Sequence, residues 1–238
     1  LACRAERYSL KALLRFYKIA RMTMAPNLEL VNLIAASNSK PCCPMLHGVD
    51  LERFRPCRRR REEGVFTIGY VGRLTSEKNV RRIGEIESML KAVGARNYRF
   101  VLVGDGGERS WLEQNIENAE LPGVLRGDLL AETFAGFDAF VFPSETDTFG
   151  LVVLEAMASG VPPIVARGGG PQYQVTEGSD GYVVDSTEGF VEAILELQRD
   201  SAKLARMRVA ARAHACQNSW TPVFDQVHEA YRTYLFSN

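Results

Sequence analysis

The sequence predicts an α/β fold, a Rossmann-like doubly wound parallel sheet, with helices left from a second domain ahead of it. Three observations lead there. From Val65 onward, short apolar runs alternate with stretches of helical periodicity, the pattern of strands joined by right-handed crossovers. Three of the four strand ends that follow carry glycine: Gly72, residues 104–107 and residues 168–170. Finally, a buried strand (Phe140 to Phe142) runs through a polar loop into a helix that is apolar on nearly every face except at Glu155.

Taken in order, residues 2–25 read as a basic amphipathic helix, with Arg7, Lys11, Arg15 and Lys18 at helical spacing. Such a face suits either an anionic lipid surface, giving peripheral membrane contact, or a solvated helix of a neighbouring domain, and the second is preferred. Pro26 stops it, and 28–36 reads as a short helix. Residues 42–56 carry turn residues and two prolines and read as a connection, continued by the basic run Arg58 to Arg61. Expected strands then cover 66–71, 98–103, 139–142, 163–166 and 182–184. Expected helices cover 78–93, 108–118, 129–134, 150–159, 171–176, 187–199, 201–216 and 222–236.

Composition excludes several classes. With 29 basic and 29 acidic residues the formal charge is zero, so nothing argues for nucleic acid as a partner. The five cysteines are odd in number and lack CxxC spacing, which points to reduced thiols and a cytoplasmic protein rather than a disulfide framework. His47, His214 and His228 are too scattered for a metal site. No apolar run is long enough to span a bilayer. The chain opens on Leu1, so it is expected to begin inside a longer protein.

In a doubly wound sheet the ligand lies beyond the C-terminal strand ends. There, Arg73 and Lys78 stand five residues apart between a strand and a helix. Cations at that place stabilise a diphosphate leaving group as it gains charge. Arg grips phosphate through parallel hydrogen bonds and Lys adds a point charge, although either alone could be a surface ion pair, for instance with Glu77. Asp147 lies in the loop before the Glu155 helix, whose first N–H groups suit an anion. Two acids aimed at hydroxyls, with donors between them, describe a nucleotide-sugar pocket. No Asp-x-Asp pair offers a metal site, so the counter-charge is expected from Arg73, Lys78 and the helix start at Phe149 and Gly150. The 103–107 segment lacks the GxGxxG fingerprint, which weakens a dinucleotide-dependent oxidoreductase.

These residues resemble a known family. GYVGRLTSEKN, VLVGDGG and FPSETDTFGLVVLEAMASGVP with a trailing GGG are similar to the nucleotide-binding half of family-4 retaining glycosyltransferases of the GT-B fold. The resemblance implies that Glu155 binds the ribose hydroxyls and Asp147 a hydroxyl of the transferred sugar. Arg73 and Lys78 become the diphosphate clamp. Backbone around Thr148, Phe149, Gly150 and Leu151 contacts sugar and phosphate. The base lies near Gly72, Val103, Gly104 and the Arg126-Gly127-Asp128-Leu129 turn. No cofactor is implied; the substrate is a nucleoside-diphosphate sugar such as GDP-mannose or a UDP-hexose. Asp147 stands where many members carry Glu, a variant that resembles enzymes acting on lipid-linked acceptors or mannose donors. The resemblance further implies that residues 1–45 are the tail of an N-terminal acceptor domain, 46–218 the donor domain, and 219–238 a helix crossing back. A chain without that acceptor domain is expected to bind donor but transfer little sugar. Two other readings stay open: a non-catalytic nucleotide-binding module and a nucleotide-sugar epimerase.

Overall fold

A computed structural model describes residues 2–56 and 64–236, with side chains from 8 to 56 and from 64 to 234. The basic run Arg58 to Arg61 lies outside the described residues. The chain divides into two compact units, residues 49–219 and residues 1–48 with 220–238.

The larger unit is a six-stranded, wholly parallel sheet flanked by helices. Its strands are β3 (Phe66–Val71), β4 (Tyr98–Val103), β5 (Ala119–Gly123), β6 (Ala139–Phe142), β7 (Pro163–Ala166) and β8 (Tyr182–Val184), ordered β5-β4-β3-β6-β7-β8. The chain works outward from β3 to β5, then returns to lay β6 against the other side of β3. Register Ile68 to Ala139 and Gly69 to Phe140 fixes that seam. All six residues of β3 are buried, as expected where helices cover both faces. Gly69 is required there: a Cβ would stand 2.1 Å from the ring of Phe137.

The helices are α3 (Arg81–Ala92), α4 (Arg109–Asn115), α5 (Gly127–Gly136), α6 (Leu151–Ala158), α7 (Thr187–Arg199) and α8 (Ser201–Gln217). Ile83, Ile86 and Leu90 of α3 and Phe190, Ile194 and Leu197 of α7 recur at 3–4 residue spacing and are buried. Ser186 and Asp200 cap α7 and α8 by accepting N–H bonds from Gly189 and Lys203.

Five of the six strands fall where the sequence places them. The sixth, β5, was not expected, because Pro122 and Gly123 read as breakers. Its place at the sheet edge explains the exception, since a proline there costs no ladder bond. The expected turn at 126–129 is instead the start of α5, with Arg126 as its cap residue.

In the smaller unit the expected helix over 2–25 is shorter. α1 spans Ala2–Tyr17, where Asn38 donates to the carbonyl of Tyr17 at 3.2 Å and Lys40 to that of Lys18 at 2.7 Å. Thr23–Ala25 then forms β1, parallel to β2 (Cys42–Pro44) inside the expected connection. Pairing between strands overrides the helical periodicity there. α2 (Leu28–Ser37) and α9 (Trp220–Tyr231) complete the unit. Among the described residues no helix is long and apolar enough to cross a membrane.

One buried charge ties the sheet to α8. Asp138 is fully buried before β6; one oxygen accepts the Thr67 N–H at 2.9 Å and the other meets Arg208 at 2.9 Å. Arg208 also donates to the carbonyls of Phe137 and Gly160. Removing the cation leaves an uncompensated buried carboxylate, so Arg208→Met is expected to lower stability by about 3–5 kcal/mol in urea unfolding. The double variant with Asp138→Asn should recover part of that loss.

Candidate functional site

The strand order reverses between β3 and β6, so the chain segments leaving those two strands diverge and leave a crevice at their C-terminal ends. After β3, Gly72 donates its N–H to Val103, and Tyr70 donates its hydroxyl to the Arg73 carbonyl at 2.9 Å. Residues Ser76–Lys78 make a single 3-10 turn, ended by Asn79 in the left-handed region at φ 53°. That break sets Lys78 apart from α3 and lets its side chain cross to the other segment.

Lys78 Nζ meets Asp147 Oδ1 at 2.6 Å, with the two side chains only 14% and 20% exposed. The second carboxylate oxygen of Asp147 is buried and has no hydrogen-bond partner. Thus the structure brings together a cation and an acid separated by 69 residues. Arg73 is on the same segment but exposed, and it pairs with Glu77. The surface ion pair weighed for Arg73 is therefore present, and both cations at this sheet edge are held by carboxylates.

The loop carrying Asp147 is fastened from several sides. Thr146 donates its hydroxyl to the Glu77 carbonyl at 3.2 Å, and Arg82 Nη1 lies 3.0 Å from Glu145 Oε1. Gly170 donates its N–H to the Asp147 carbonyl at 2.6 Å. A Cβ on Gly170 would stand 1.9 Å from the Thr148 carbonyl oxygen, so this glycine serves close packing of two turns. Gln174 donates its side-chain amide to the carbonyls of Phe149 and Gly150. Phe149 is buried, Thr148 and Leu151 are exposed, and Gly150 opens α6 at φ 80°. The N-cap residue Gly150 has no side chain to cap α6, and the positive end of the helix dipole there suits an anion.

Glu155 sits one turn further along α6 between Leu154 and Ala156, both buried. Among the described residues nothing pairs with its carboxylate. Burial in this apolar setting pushes its pKa up to about 7.

A hollow of about 210 Å³ opens beside this crevice, lined by Gly72, Arg73, Val103, Gly104, Val124 and Leu125 among others. Gly104 lets the two turns of its wall pack together: at φ 140° a Cβ would fall 1.9 Å from the Gly72 carbonyl oxygen. Its apolar walls suit a planar ring. Arg126, Gly127 and Leu129 do not line it. Leu129 lines a second hollow of about 310 Å³ with Arg99 and Glu120. The lining thus comes from 124–125, a stretch with no motif to mark it. Gln174 and the Arg82–Glu145 pair were likewise invisible in the sequence. Among the described residues no cluster of three or more His, Cys, Asp or Glu is arranged to hold a metal ion.

Comparison with known proteins gives a consistent picture. Residues 57–214 match the family described as glycosyl transferases group 1. The chain is 35% identical over 229 residues to a GDP-mannose-dependent alpha-mannosyltransferase of Mycolicibacterium smegmatis, covering 91% of this chain and 58% of that protein. It is 31% identical over 233 residues to the protein of that name from Corynebacterium glutamicum, covering 93% and 53%. The chain therefore spans about half the length of the curated relatives it matches. Anabaena Alr3699/HepE, solved in complex with UDP and glucose, superposes at a TM-score of 0.79 with 18% identity, covering 94% of this chain and 66% of that one. At that identity the likeness concerns the fold, the Rossmann-like architecture of GT-B glycosyltransferases.

The raised pKa of Glu155 has a consequence for stability. Between its unfolded value of 4.5 and its folded value of about 7, the native state binds more protons than the unfolded one, so stability falls as pH rises. At ~1.4 kcal/mol per unit the loss is on the order of 3 to 4 kcal/mol once Glu155 is ionised. Glu155→Gln should match the wild type in urea unfolding at pH 5 without nucleotide. At pH 8 it should be the more stable of the two.

Proposed function

The chain belongs to the group 1 glycosyl transferases, and from that membership we propose that it carries the donor site of a retaining, metal-independent mannosyltransferase. The donor is GDP-mannose and the acceptor a hydroxyl of a lipid or glycan. The observation that carries this reading is the meeting of Lys78 and Asp147 in the crevice where the strand order reverses. The names of relatives at 31–35% identity support mannose and guanine over other donors.

In this reading Lys78 and Arg73 turn from their acids to the diphosphate, and the start of α6 at Gly150 adds N–H donors. Asp147, with its unpartnered buried oxygen, accepts a sugar hydroxyl. Glu155 accepts the ribose hydroxyls, which restores hydrogen bonds to a carboxylate that burial has raised in pKa. The base enters the hollow between Gly104 and Leu125. Transfer then breaks the bond between the anomeric carbon and phosphate and forms one to the acceptor oxygen on the same face. The acceptor proton passes to the departing phosphate oxygen. The charge that develops there is stabilised by fixed cations, without a metal.

Binding is the readout suited to 238 residues that span half of their relatives. Calorimetric titration with GDP, UDP and ADP should show GDP bound most tightly. Glu155→Gln should weaken it by about tenfold or more, because hydrogen bonds to a charged acceptor are worth about 1.5–3 kcal/mol. Binding of none of the three removes the donor site, and a preference for UDP replaces mannose with a UDP-hexose.

A second expectation separates a phosphate clamp from an ordinary ion pair. Glu77 competes with phosphate for Arg73, so Glu77→Gln should tighten GDP binding by about twofold to fivefold, the value of an exposed ion pair. If Arg73 never touches phosphate, the same substitution leaves calorimetric affinity unchanged.

A further inference from the structure

Under the reading above, on which this inference rests, a bound donor draws Lys78 and Asp147 apart, one to the diphosphate and the other to the sugar. The 2.6 Å ion pair that spans the crevice is then broken while its two members are in use. The loop at 144–149 keeps its ties to the Glu77 carbonyl, Gly170 and Gln174, and the ion pair of Arg82 with Glu145 is the side-chain charge pair that still joins the two segments. We propose that Arg82, acting through Glu145, is the positioning residue that keeps Asp147 at the transferred sugar once Lys78 has let go.

Arg82 is the second residue of α3, anchored below by the fully buried Ile83, Ile86 and Leu90. Its own N–H is tied to the Asn79 carbonyl at 3.1 Å. The guanidinium is 19% exposed, and its Nη1 lies 3.0 Å from Glu145 Oε1. That nitrogen is buried and makes no well-aligned hydrogen bond, so the ion pair is its compensation in the fold. Glu145 is only two residues from Asp147. On its other side the turn at Gly168 packs closely, with a Cβ there falling 3.1 Å from that of Glu145. Arg82 and Glu145 thus bridge the same two segments as Lys78 and Asp147. Neither belongs to the groups assigned to the donor.

The arrangement makes a prediction that a purely structural role would not. Loosening the loop removes contacts to the sugar and leaves those to base, ribose and diphosphate. The measurement is the ratio of affinities, by calorimetry, for GDP-mannose and GDP, or for UDP-glucose and UDP if the wild type binds those. Arg82→Glu and Glu145→Arg should each weaken the sugar nucleotide by about threefold to tenfold while the diphosphate alone binds as in the wild type. The double charge reversal should restore the ratio to within about twofold. Asp147→Asn serves as reference, since it should lower the same ratio directly. An unchanged ratio in both single variants, or an equal loss for both ligands, overturns the inference. An unchanged ratio in Asp147→Asn instead overturns the assignment of Asp147 to the sugar, and the inference falls with it.

Discussion

The geometry of this protein depends on one constraint: the central strand β3 has a parallel neighbour on each side, β4 reached directly and β6 only after the chain returns from the edge strand β5. Because β3 then leads outward to β4 while β6 leads outward to β7, the segments leaving their C-terminal ends diverge. A crevice is thus forced by topology, whatever side chains line it. The two segments that border it are the places from which side chains can meet across it, and Lys78 and Asp147 do so. Residues 67, 69, 137 and 138 hold the seam from behind, through the Thr67 N–H donated to the Asp138 carboxylate and the space that Gly69 leaves for the Phe137 ring.

How much of this was legible in the sequence follows from which interactions are local. Strands announce themselves as apolar runs, and five were found at their observed bounds: four central ones and the short edge strand β8, whose Tyr182-Val183-Val184 is apolar throughout. The edge strand β5 hid behind Pro122, and β1 hid inside a helical pattern, because pairing with a distant segment decides both. The same division holds at the site. Arg73, Lys78, Asp147 and Glu155 stand out as charges set in apolar or glycine-rich surroundings. The walls contributed by Val124 and Leu125 do not, being two apolar residues in an unremarked loop. Arg82 and Glu145 were each readable only as a surface charge. Their partnership across 63 residues exists only in the folded chain.

The glycines divide by the same logic. Gly104 and Gly170 sit where another backbone carbonyl approaches to within 1.9 Å of the missing Cβ, so their identity is demanded by packing of turn on turn. The structure shows that these glycines shape the crevice by letting its walls close on each other, whichever ligand enters.

The electrostatics of the crevice then acquire a particular character. Arg73 faces Glu77, Lys78 faces Asp147, and Arg82 faces Glu145. Three cations are balanced by three acids within the crossing segments, so no large field is left to be satisfied by stray anions. An incoming diphosphate exchanges partners within a neutral set instead of filling a bare cationic hole. Its net affinity is what the new bonds to phosphate are worth beyond the carboxylate pairs they displace. Under the proposed donor reading, that difference keeps diphosphate binding reversible. Glu155 differs: among the described residues no cation stands beside it, and burial raises its pKa to about 7. Hydroxyl donors from a ligand improve its environment without first breaking an ion pair, as they do at the unpartnered buried oxygen of Asp147.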